Sequence, residues 1–129
     1  MQRPAAKVVL IVDDEFAIVE ALAEILTWEG YVVKSAAHGR AALQILATDH
    51  VDVVLMDLMM PVMGGVEAAT AMRSDPRLRT IPVVVMSAGP LPDGDSRWSE
   101  AIRKPFDLDA LLGAIKRAVE APPPDAARG

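Results

Sequence analysis

The residues of this 129-residue chain that could do chemistry are few and acidic: Asp13 and Asp14 together after one apolar run, and Asp57 after another. A serine, Ser87, and a lysine, Lys104, follow two further short runs. Two carboxylates held about 4 Å apart repel by roughly 4 kcal/mol at an effective dielectric of 20, so such a group needs a cation or a proton. Oxygen ligands without neighbouring His or Cys select a hard ion, and Mg²⁺ prefers a few carboxylates, waters and a phosphoryl oxygen. The expected chemistry is therefore Mg²⁺-assisted phosphate chemistry. Each residue alone has a plainer explanation: an aspartate at a strand end is ordinarily a cap or loop acid, a serine opens turns, and a lysine sits in solvent. Their recurrence at successive strand ends favours a site.

Those strand ends come from the alternation of elements. Residues 7–12 are a short β-branched run that stops at the acids, as a buried strand does when it enters a loop. From Phe16, apolar Val19, Leu22, Ile25 and Leu26 share a helical face, Gly30 follows as a stop, and the preceding acids suit the helix's positive end. Residues 31–34 form a second strand and 39–48 a second helix, and the near-continuous apolar run 51–56 is a central strand ending at Asp57. Pro61, Gly64 and Gly65 mark a turn before a helix carrying Val66, Ala69 and Met72, which breaks at Asp75 and Pro76. Residues 81–86 form a fourth strand and 100–103 a fifth. The interval 88–97 holds Gly89, Pro90, Pro92 and Gly94, so a helix there is short and confined to the residues after Pro92. Leu108, Leu111, Leu112, Ile115 and Val119 stripe a final helix. Residues 1–6 and the proline-rich 121–129 are expected as tails flanking one domain over 7–120. Strands alternating with helices imply an α/β fold, a parallel sheet with right-handed crossovers and helices on both faces. In such sheets functional groups gather at the carboxyl ends of the strands.

Composition narrows the function. Apolar residues make up 52%, enough for one self-sufficient core. Lys and Arg total 13 against 18 Asp and Glu, a formal charge of −5, which disfavours direct binding to nucleic acid. With no cysteine, disulfide frameworks, thiolate zinc sites and cysteine nucleophiles are excluded. No secretory signal or membrane-length apolar run is read in the chain, and the expected location is the cytoplasm. GxxxxGK[ST] and GxGxxG are both missing, against nucleotide binding. The methionines 56, 59, 60 and 63 are read as gap fillers, and His38 and His50 as surface residues. Trp98 is expected to pack against the short helix before the fifth strand, with an exposed partner contact as the alternative.

VDDE at 12–15, DLMMPVMGG at 57–65, MSA at 86–88 and KPF at 104–106 occur in order at predicted strand ends. In these motifs the chain, over about residues 7–120, resembles the receiver domain of two-component response regulators. The resemblance implies a flavodoxin-like, doubly wound sheet of five parallel strands in order 2-1-3-4-5, with the helix between strands four and five short or absent. It implies that Asp57 accepts a phosphoryl group from a histidine kinase or phosphotransfer protein, or a small-molecule donor. Asp13, Asp14 and Asp57 would hold Mg²⁺, with the backbone carbonyl of Met59 completing the protein ligands. Lys104 would pair first with Asp57 and then with a phosphoryl oxygen, Ser87 would donate its hydroxyl to another, and Pro105 would follow a cis peptide.

Such a domain is a switch that catalyses only its own phosphorylation and dephosphorylation and signals in trans. In receivers the face of the fourth helix, fifth strand and fifth helix often serves homodimers or partners, and the short interval from Ser87 to Lys104 is expected to remodel it here. One departure stands out: Ala101 occupies the position, three residues before the lysine, where receivers commonly carry Tyr or Phe. An alanine has no rotamer to switch. The alternative is a receiver-like docking module whose partner binding ignores phosphorylation. A phosphatase using an aspartyl nucleophile fits less well, because Met59 stands where its second aspartate would be.

Overall fold

A computed structural model gives the structure of the chain and describes residues 6–90 and 96–120. The elements run β1 (Val8–Val12), α1 (Phe16–Trp28), β2 (Val32–Ala36), α2 (Gly39–Thr48), β3 (Val53–Asp57), α3 (Gly65–Ser74), β4 (Val83–Ser87), β5 (Glu100–Arg103) and α4 (Leu108–Glu120). All four strand pairings are parallel, in the order β2-β1-β3-β4-β5. The expected doubly wound sheet is present.

Strand alternation divides the core. Leu10, Val12, Val54, Met56, Val83 and Val85 face Ala42 and Leu46 of α2 and Ala68, Ala69 and Met72 of α3. Val9, Ile11, Val53, Leu55, Val84 and Met86 face Leu22 and Leu26 of α1 and Leu111, Ala114 and Ile115 of α4. β1, β3 and β4 are covered on both faces, which is why their sequences read as continuous apolar runs.

Local signals place the ends. Helix α1 stops in a Schellman turn: Gly30 has φ 97°, the Gly30 N–H donates to the Thr27 carbonyl and the Tyr31 N–H to that of Leu26 at 3.0 Å. The acids before α1 do not enter its first turn; Glu15 is the cap residue and makes no side-chain cap bond. His38, expected as a surface residue, is half-buried and caps α2, its Nδ1 accepting the Ala41 N–H at 3.2 Å. Asp57 and Ser87 turn out to be the last residues of their strands, one position beyond the apolar runs.

Between β4 and β5 the described residues contain no helix; residues 96 and 97 form a turn. Most of the short helix expected after Pro92 lies outside the described residues, as do the tail expected over 121–129 and residues 1–5 of the expected amino-terminal one. Trp98 is buried in the core on the α2 and α3 face. Arg97 lies over its ring, 5.1 Å from the centroid, and donates to the Thr70 hydroxyl on α3 at 3.2 Å.

Candidate functional site

Parallel strands carry their carboxyl ends to one edge, and the chemistry-bearing residues sit there. Asp13 follows β1, anchored by its N–H to the Ala36 carbonyl at 3.1 Å, while its Oδ1 accepts the Glu15 N–H at 2.9 Å. Asp57 ends β3, and its Oδ1 accepts a long 3.4 Å bond from the Met59 N–H. Behind it Gly65, which opens α3, presses on the backbone of Asp57 and Leu58, leaving no room for a Cβ. Ser87 ends β4, and its carbonyl accepts the Lys104 N–H at 2.7 Å. The Lys104–Pro105 peptide is cis, as expected from the family resemblance.

One ligand oxygen from each of Asp13, Asp14 and Asp57 can be chosen so that all lie within 4.8 Å of one another. Asp13 and Asp57 are buried and Asp14 is exposed, so the cluster opens to solvent on one side. Three hard oxygen donors with an open side suit a divalent cation that keeps several waters, as Mg²⁺ does.

Lys104 is 14% exposed and supplies the positive charge, 3.0 Å from Asp13 Oδ2, 3.5 Å from Asp57 Oδ2 and 3.9 Å from Glu15 Oε1. Lys104 is ion-paired with Asp57, and its shortest contact, a hydrogen bond, is to Asp13. Burial pushes the Asp57 carboxyl above the ordinary aspartate value and the Asp13 charge adds to that, while Lys104 opposes it. For Lys104, burial favours the neutral amine but is outweighed by the bond to Asp13 and the charges of Asp13, Asp57 and Glu15. Its pKa is raised as a result.

The structure thus gathers Asp13, Asp14, Asp57 and Lys104. Met59 meets the site through its backbone N–H and holds its side chain in solvent. The Ser87 hydroxyl is engaged in its own loop, accepting the Gly89 N–H at 3.2 Å and donating to its carbonyl at 3.4 Å. Glu15 and Gly65 were not among the expected site residues. Glu15 reads as a helix-start acid, and nothing in the order of residues signals which glycine will meet Asp57.

A family model described as the response regulator receiver domain matches residues 9–116, nearly the whole described fold. The chain belongs to this receiver family. Among curated relatives of this receiver domain, the response regulator MprA of Mycolicibacterium vanbaalenii is 32% identical over 126 residues, covering 94% of the chain and 54% of MprA. The regulatory protein AtoC of Escherichia coli is 39% identical over 120 residues, covering 87% and 25%. The chain therefore spans about half the length of one relative and a quarter of the other. Among solved structures, the chemotaxis response regulator CheY4 of Vibrio cholerae aligns with TM-score 0.81 at 29% identity, covering 88% of this chain and 99% of that one. The response regulator TrrA of Thermotoga maritima, in complex with Mg²⁺ and BeF, aligns with TM-score 0.78 at 30% identity, covering 87% and 98%. Receiver domains are signalling modules rather than dedicated enzymes, and among the described residues no helix is long and apolar enough to cross a membrane.

Proposed function

We propose that this receiver domain accepts a phosphoryl group on Asp57 from a histidine kinase or phosphotransfer protein in the cytoplasm, and signals in trans through the change that follows. The observation that carries this reading is the Lys104 ammonium, set 3.0 Å from Asp13 and 3.5 Å from Asp57 at the mouth of a three-carboxylate cluster. In that reading an Asp57 oxygen forms a bond to phosphorus as the bond between phosphorus and the donor's imidazole nitrogen breaks, and the imidazole leaves with a proton. Asp13, Asp14, Asp57 and the Met59 carbonyl would hold Mg²⁺, which when bound neutralises charge on the transferring group. Lys104 shifts from its carboxylates to a phosphoryl oxygen, and Ser87 exchanges its bonds to Gly89 for another. The same groups would serve hydrolysis of the acyl phosphate, so the domain times its own signal. Exposed Phe16, Met59 and Leu108 lie within four residues of Asp14, Asp57 and Lys104 and offer apolar contact to a docking partner.

Acetyl phosphate with Mg²⁺ should add one phosphoryl mass to the chain, and Asp57→Asn should abolish it; a mass gain that survives in Asp57→Asn overturns the assignment. A second reading, a docking module indifferent to phosphorylation, is favoured by Ala101, which leaves β5 without an aromatic switch opposite Val85. Equal partner binding by wild type and Asp57→Asn, with and without donor, would support it.

A further inference from the structure

Among the described residues, Glu15 is the one acid at the site that the proposed phosphoryl transfer leaves without a role. It stands at the cap of α1, yet its side chain makes no cap bond; its backbone N–H is fixed on Asp13 Oδ1 and its carboxylate reaches to 3.9 Å from the Lys104 ammonium. Asp13 and Asp57, the other two partners of Lys104 among the described residues, are buried at strand ends, whereas the Glu15 side chain is 62% exposed. Lys104 thus lies between buried inner carboxylates and an exposed outer one.

Resting on the reading of Asp57 as phosphoacceptor, we propose that Glu15 is a positioning residue, an outer carboxylate that competes with the phosphoryl group on Asp57 for the Lys104 ammonium. The competition follows from the charges. Asp13 cannot hold the ammonium at full strength and serve a divalent cation as well, which leaves Glu15 on the solvent side and the phosphoryl oxygens on the inner side as the remaining acceptors. Glu15 draws the ammonium outward and so weakens capture of the phosphoryl group. Because it is exposed, salt screens its pull, whereas the inner contacts are screened far less.

The test compares wild type with Glu15→Gln in the full chain, titrating beryllofluoride at saturating Mg²⁺ and following Trp fluorescence. Glu15→Gln should bind beryllofluoride about three- to fivefold more tightly at low ionic strength, the size of effect one partly screened unit charge gives near 4 Å. That gain should shrink at high salt. It should be absent from Glu24→Gln, which removes an exposed charge further along α1. In a Lys104→Ala background the Glu15→Gln gain should fall, since the ammonium through which Glu15 acts is gone. Should that double variant fail to fold, the Lys104 side-chain methylene resonances provide the second measurement, shifting in Glu15→Gln and not in Glu24→Gln. Unchanged or weaker binding in Glu15→Gln, an undiminished gain without Lys104, or unmoved Lys104 resonances would each overturn the proposal. A folded wild type that takes up no beryllofluoride would fail the phosphoacceptor reading itself, visible in the wild-type titration alone.

Discussion

Gly65 lies so close to Asp57 that a Cβ built on it would collide with the Asp57 carbonyl oxygen and come within 2.9 Å of the Leu58 Cα. Both obstacles are backbone, so nothing flexible can yield. Gly65→Ala should therefore destabilise the domain by about 2–3 kcal/mol, as overpacking does, and displace the Asp57 carboxylate. Urea denaturation with a Mg²⁺ titration checks this; a loss under about 0.5 kcal/mol, the range of a neutral surface change, would show that α3 can move away.

The raised Asp57 pKa makes its charge a burden on the metal-free fold. The folded state holds the proton more tightly than the unfolded chain, so Asp57 lowers stability above its folded pKa, and the burden lifts as pH falls through that value. Asp57→Asn in EDTA at neutral pH should be more stable than wild type by on the order of 1 kcal/mol, one screened carboxylate repulsion. Thermal melts of the two proteins should converge as the pH is lowered, and added Mg²⁺ should stabilise wild type more than the variant.

Lys104 works in the opposite sense. Its pKa is raised by the acids around it, so its contribution is complete below the ordinary lysine value and is lost as pH rises through the higher folded one. Lys104→Met leaves Asp13 and Asp57 without their counter-charge and should cost about 3 kcal/mol in EDTA at pH 7. The gap to wild type should narrow with Mg²⁺ and at strongly alkaline pH. A gap constant across pH would place the loss in packing.

Gly30, at φ 97° in the turn that ends α1, has no heavy atom within 4 Å of a Cβ built there, so conformation alone sets the cost of substitution. Gly30→Ala should lower stability by about 1 kcal/mol and leave Mg²⁺ affinity unchanged, since the turn lies at the opposite end of α1 from Asp13. Chemical denaturation and a metal titration on one sample test both statements.

Much of this was legible in the chain because the signals are local. A strand covered on both faces must be almost wholly apolar, so the run at 51–56 announced the central strand. Gly30 ended a helix because few other residues accept its φ. The VDDE, DLMMPVMGG, MSA and KPF segments each marked a strand end, and their order carried the resemblance to the family. His38 misled because an imidazole accepting a bond at a helix start looks, in sequence, like any polar loop residue. Trp98 reads alike as surface or core, and its burial depends on how α3 and β5 approach each other.

By itself the sequence determined the order of elements, the sheet they form and the acids and lysine that end its strands, because periodicity, turn residues and apolar runs act within a few neighbours. Tertiary structure alone decided that Lys104 bonds to Asp13 more closely than to Asp57, that Glu15 reaches the same ammonium, and that Gly65 presses on Asp57. Those relations join residues from different strands and loops. Their distances are set by how the sheet twists and the helices pack, and differences of half an ångström between rival carboxylates leave no trace in residue order.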